Sequence, residues 1–158
     1  STIRTFMVLP IRAQVPVYDP NSETFCMAFK DTSNSSYGTV VCGTPSNGTV
    51  TWGTPTVFRN ASISNTPGCV EINGRIVVMY QNQSDLKHYL VATTYLGTDG
   101  ANYGTAVEIP HSNLSGTSTT IASANITADT TANYVIIQQC LPPTDDYNLY
   151  FVNIDLIL

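Results

Sequence analysis

The chain has 158 residues, room for one domain with its own apolar core, and only 11% are charged against 42% hydrophobic. Recurrent β-branched and aromatic residues exclude a disordered chain. The formal charge of −5 and six scattered basic residues (Arg4, Arg12, Lys30, Arg59, Arg75, Lys87) argue against nucleic acid as a partner, and no apolar stretch approaches the roughly 20 residues that span a bilayer.

The first predicted element is a strand over residues 2–9, with Ile3, Phe6 and Val8 as its apolar residues. The segment 1–10 lacks the charged–apolar–small order of a signal peptide. Four strands then follow, cut by turn-forming residues: 13–19, 24–30, 37–43 and 49–58. A second set is expected near 64–71, 75–81, 88–96 and 103–109, and a third near 119–126, 134–139 and 147–156. No segment has sustained helical periodicity, so no helix is expected.

The strands repeat. Phe25-Cys26-Met27-Ala28-Phe29 aligns with Ile76-Val77-Val78-Met79-Tyr80, and Trp52-Gly53-Thr54-Pro55 with Tyr103-Gly104-Thr105-Ala106, both at a shift of 51. Tyr134-Val135-Ile136-Ile137-Gln138 follows Ile76–Tyr80 at a shift of 58. The expectation is a single all-β domain over 1–158, with units at about 12–61, 62–113 and 114–158. Units of about 50 residues with four antiparallel strands point to three propeller-like blades; the alternative is a β-sandwich. The third unit is one strand short, and the strand over 2–9 is placed to complete it from a neighbouring copy.

Val17-Tyr18-Asp19-Pro20, Met27-Ala28-Phe29-Lys30-Asp31, Ser36-Tyr37-Gly38-Thr39-Val40-Val41-Cys42-Gly43-Thr44 and Trp52-Gly53-Thr54-Pro55-Thr56-Val57-Phe58 form one string. It resembles the tandem propeller-type repeats of bacteriophage tail fibres and related virion surface proteins. The likeness is fullest in the first unit, and those arrays usually carry more blades and rarely cysteine. It implies a non-enzymatic attachment or structural protein, at a virion surface or extracellular, whose partners are further copies, other virion proteins or a cell-surface glycan. An architectural resemblance to small bacterial lectins, which build six-bladed rings from two-blade chains, implies an oligomeric carbohydrate-binding lectin instead. A third reading is an extracellular filament subunit joined by the donated amino-terminal strand.

Candidate site residues are few. Most of the eleven carboxylates fall at predicted turns, where they cap backbone groups, so no facing pair of the glycosidase kind is expected and no catalytic residue is assigned. His88 and His111 have no cysteine or carboxylate at ligand spacing, so neither a metal nor a cofactor is implied. Trp52 and Tyr103 hold equivalent positions and are the candidate sugar-stacking rings. Cys26 and Cys42 lie equidistant from Asn34 at a predicted hairpin tip and are candidates to pair; Cys69 with Cys140 would join adjacent units, and free buried thiols are the alternative. Asn34, Asn47, Asn60, Asn82, Asn113 and Asn125 head glycosylation sequons.

Overall fold

A computed structural model describes residues 11–13, 16–93, 103–109, 123–141 and 146–157. The strand expected over 2–9, with Ile3, Phe6 and Val8, lies outside them, as do His111 and Asn113. The chain is all-β, as its sequence implies. Every strand pairs antiparallel, and the described residues contain no α-helix, only one turn of 3-10 helix at Ile154–Leu156.

Three sheets follow one another along the chain. In the first, β1 (Ile11–Ala13) and β2 (Val17–Asp19) both pair with β3 (Thr24–Asp31), and β3 pairs with β4 (Tyr37–Ser46). Along the far side of β4 run β5 (Thr49–Trp52) and β6 (Thr56–Ser62). The first and fourth of the expected strands are thus each broken in two. Pro55 explains the second break, since it has no N–H to give to a ladder. The second sheet runs β7 (Gly68–Ile72), β8 (Arg75–Gln81), β9 (His88–Ala92) and β10 (Val107–Glu108). Its last strand shows the same break: Tyr103 bridges to Thr93, and pairing resumes at Val107. Among the described residues the third sheet comprises β11 (Ser123–Asp129), β12 (Tyr134–Leu141) and β13 (Asp146–Asn153). Residues 154–156, expected to continue its last strand, turn away because Asn153 accepts a hydrogen bond from Asp155 N–H at 2.9 Å and starts the 3-10 turn.

Turn chemistry sets the register. Asn47-Gly48 and Asn73-Gly74 are two-residue hairpin turns in which both residues have positive φ (50° and 75°, 51° and 78°), the pairing that suits the twist of the flanking strands. Asn47-Gly48 lets β4 run to Ser46, three residues beyond the expected end at Gly43. Other turns close on aspartates. Asp19 accepts from Asn21 N, Ser22 N and Ser22 Oγ, Asp31 from Ser33 and Asn34, and Asp129 from Thr131 N and Ala132 N.

The middle sheet is covered on both faces. Alternation along β8 sends Ile76, Val78 and Tyr80 into a cluster with Cys26, Ala28 and Val40 of the first sheet. Val77 and Met79 point the other way, into a cluster with Val135 and Ile137 of the third. A strand buried on both faces has no polar alternation, which is why Arg75–Gln81 reads as an unbroken apolar run. The shift of 51 preserves these faces: Cys26 and Ala28 map onto Val77 and Met79, and each pair faces the following sheet. The shift of 58 does not. It equates Val77 and Met79 with Val135 and Ile137, which face them across one core, so the third unit is offset by an odd number of residues from that alignment.

The sheets approach each other most closely through their first strands, with β7 touching β2 and β3 on one side and β11 on the other. Residues from β2, β7 and the β11 region line one open groove of about 300 Å³, including Tyr18, Glu71 and Ala128.

Acid is expected to loosen the turns. Burial by itself raises the Asp19 pKa, but the Ser22 hydroxyl and the Asn21 and Ser22 N–H groups outweigh it and hold the carboxyl below its ordinary 3.8. Asp85 is also lowered: burial opposes ionisation, while Lys87 N–H, the Tyr89 hydroxyl and Asn82 favour it. A folded-state pKa below the unfolded one gives stability that is present above the unfolded value and lost as pH falls through the folded one. The melting temperature should therefore fall as the pH drops below about 4, and less steeply in Asp19→Asn. Equal slopes in the two proteins would show that the Asp19 carboxylate contributes nothing.

Candidate functional site

The two candidate stacking rings sit in packed surroundings. Trp52 is opposite Gly43 in the β4–β5 ladder, and a Cβ on Gly43 would come within 2.8 Å of the Trp52 ring. Glycine is what lets the indole lie on the backbone there, leaving Trp52 half-buried. Tyr103 packs against Phe58 at 5.9 Å between ring centroids, and Phe58 against Tyr80 at 5.4 Å. Burial pushes the Tyr103 hydroxyl well above the ordinary tyrosine range. Phe58 in turn lies over Gly38, where any Cβ would clash with its ring. The two sequence-equivalent rings thus pack differently, Trp52 on the backbone of its own sheet and Tyr103 against Phe58 of the first sheet.

Tyr89 is a more open aromatic. Its hydroxyl donates to Asp85 Oδ2 at 2.8 Å, and its ring stacks on Tyr80 at 5.7 Å. Burial, the hydrogen bond to Asp85 and nearby negative charge push its pKa up to about 12. Lys87 completes this edge with an exposed ion pair to Glu108 at 2.8 Å.

Cys26 and Cys42 form a disulfide across β3 and β4, directly opposite in register. The expected Cys69–Cys140 link is not formed. Cys69 is a free, buried thiol whose side chain points toward the first sheet, whereas Cys140 belongs to the third, on the other side of β7. Of the sequons, Asn34, Asn47 and Asn60 are exposed. Asn82 is not an acceptor in the folded chain, because it is 5% exposed and its amide donates to Ser84 Oγ. Asn125 lies on β11 opposite Gln138. Among the described residues no group of three or more His, Cys, Asp or Glu is arranged to hold a metal ion, and no helix is long and apolar enough to cross a membrane.

Two further places were not legible as sites in the sequence. One is the outer face of the third sheet. Inward-facing Tyr150 and Val152 pack on the core, so the alternate residues Leu149 and Phe151 face outward, 59% and 64% exposed. Phe151 is opposite Ile136, and Tyr134 lies on the same face. The signal was the run Leu149-Tyr150-Phe151-Val152, which places apolar residues on both faces of one strand. The other is a polar cavity of about 400 Å³ between the first two sheets, lined by Lys30, Thr32, Ser36, Ser64, Asn65 and Thr66.

No protein family, curated protein or solved structure matches this chain, so the likeness to phage fibre repeats rests on the quoted residues alone.

Proposed function

We propose that the chain is a non-enzymatic, self-associating building block of a virion surface or another extracellular assembly, with its three sheets acting as propeller-like blades. The observation that carries this reading is the third sheet. Among the described residues it has three strands where the others have four rows, and it presents Tyr134, Ile136, Leu149 and Phe151 on its outer face. β13 has an unpaired edge among the described residues, and such an edge beside an apolar face is a surface that proteins normally cover. The amino-terminal strand of a second copy, residues 2–9, has the length and β-branched content to pair with β13. Blade-like arrangement is supported by the meeting of β2, β7 and β11 at one groove, since sheets in a plain sandwich meet across their whole width. The Cys26–Cys42 disulfide agrees with an oxidising location. A lectin acting through Trp52 and Tyr103 is less favoured, because Tyr103 is packed against Phe58.

Light scattering tests the proposal. The full chain should be oligomeric, and both deletion of residues 1–9 and Phe151→Ser should yield smaller species that remain folded by circular dichroism. A monomeric full chain, or an oligomer untouched by either change, overturns it.

A further inference from the structure

We infer that the cavity between the first two sheets is a binding site for an acidic sugar. Its volume, about 400 Å³, lies at the small end of the range of small-molecule sites. Every lining residue is polar, and four of the six carry hydroxyls: Thr32, Ser36, Ser64 and Thr66. Lys30 brings the one charge. Its ammonium has three donors and gives one to Ser64 O at 3.2 Å. Among the described residues it meets no carboxylate within ion-pair distance, and the neighbouring Asp31 carboxylate is taken up by Ser33 and Asn34. A cation with no counter-ion among the described residues, in a chain of net charge −5, is a local attraction for an anion.

The walls are fixed before any ligand arrives. Asn65 Nδ2 donates to Gln81 Oε1 at 2.9 Å, and Gln81, 3% exposed, donates its own amide to Leu86 O at 2.9 Å. Ser64 is held through its N–H to Gln81 O at 2.9 Å, and Ser36 through its carbonyl, which accepts from Ile63 N at 3.0 Å. Ser64 Oγ is buried and makes no hydrogen bond among the described residues. That hydroxyl is sealed from solvent, so the ligand would meet the Thr32, Ser36 and Thr66 side chains instead. The ligand chemistry follows from this donor set. One ammonium takes a carboxylate, and surrounding hydroxyls and an amide take the ring hydroxyls. A bare phosphate would leave most of the cavity and its hydroxyls unused.

This site is independent of the assembly reading, and its test does not involve oligomer size. Glucuronate, glucose and inorganic phosphate should be titrated into the isotope-labelled chain, with amide shifts followed by NMR. Glucuronate should move the amides of 30–36 and 64–66 selectively. Lys30→Gln should weaken it about tenfold or more, the usual loss for a hydrogen bond to a charged group, while Lys30→Arg retains binding. Should Lys30→Gln fail to fold, Thr66→Val provides the same comparison at the ring-hydroxyl end and should also weaken binding. Shifts elsewhere, or undiminished binding in a folded Lys30→Gln, overturn the site. Glucose binding as tightly as glucuronate overturns the role of charge, and phosphate binding as tightly overturns the sugar.

Discussion

Leu90→Ala is expected to cost about 2–5 kcal/mol, the range for truncating a fully buried leucine. Leu90 is 1% exposed, lies opposite Met79 in the middle sheet, and joins Ile109, Val135 and Ile137 in the core shared with the third sheet. A sheet enclosed on both faces cannot relax toward solvent, so the void is only partly refilled and the cost belongs in the upper half of that range. A domain has about 5–15 kcal/mol in total, so a large share would be lost. Leu156→Ala is the control. On the 3-10 turn, at 77% exposure, it should change stability by no more than about 0.5 kcal/mol. Urea unfolding distinguishes them, and equal small effects would mean that the middle and third sheets are not packed as one core.

That contrast also marks what the sequence could convey. Strand existence was legible almost throughout, because Asn-Gly, Asp-Pro and Ser/Thr-rich turns punctuate β-branched runs. The shift of 51 was legible because it preserves the faces as well as the residue types, so Phe29 and Tyr80 are both buried at equivalent positions. The third unit was misaligned by a single step for a physical reason. Apolar residues fill both faces of β8, so the alternation that would have fixed the register is absent there. The breaks in the first and fourth strands leave the hydrophobic pattern unchanged, and the one local signal, Pro55 inside the expected strand 49–58, was passed over. The exposure of Leu149 and Phe151 was not legible, since a sequence does not say which face of a sheet is covered by a neighbour. The Lys30 cavity draws on residues 30–36 and 64–66, brought together by the packing of two sheets, which no local pattern encodes.

One long-range feature was legible, and it carries the second large prediction. Cys26 and Cys42 are eight residues either side of Asn34, and the observed register keeps that centre, pairing Asp31 with Tyr37 and Cys26 with Cys42. The disulfide closes a loop with a sequence separation of 16, for which the chain-entropy argument gives about 3 kcal/mol through restriction of the unfolded state. Because the two strands are already hydrogen-bonded neighbours, reduction should leave the fold in place while lowering its stability. Adding a thiol reductant should therefore reduce the unfolding free energy by about 3 kcal/mol with little change in the far-ultraviolet spectrum. The Cys26→Ala, Cys42→Ala double variant should start at the lower stability and ignore the reductant. Cys69 should not confuse the result. Burial raises its thiol pKa, only partly opposed by a backbone hydrogen bond at Ala28, so it stays protonated and unreactive near neutral pH while the fold persists. A double variant as stable as the oxidised parent would show that the cross-link adds nothing to what the β3–β4 ladder already supplies.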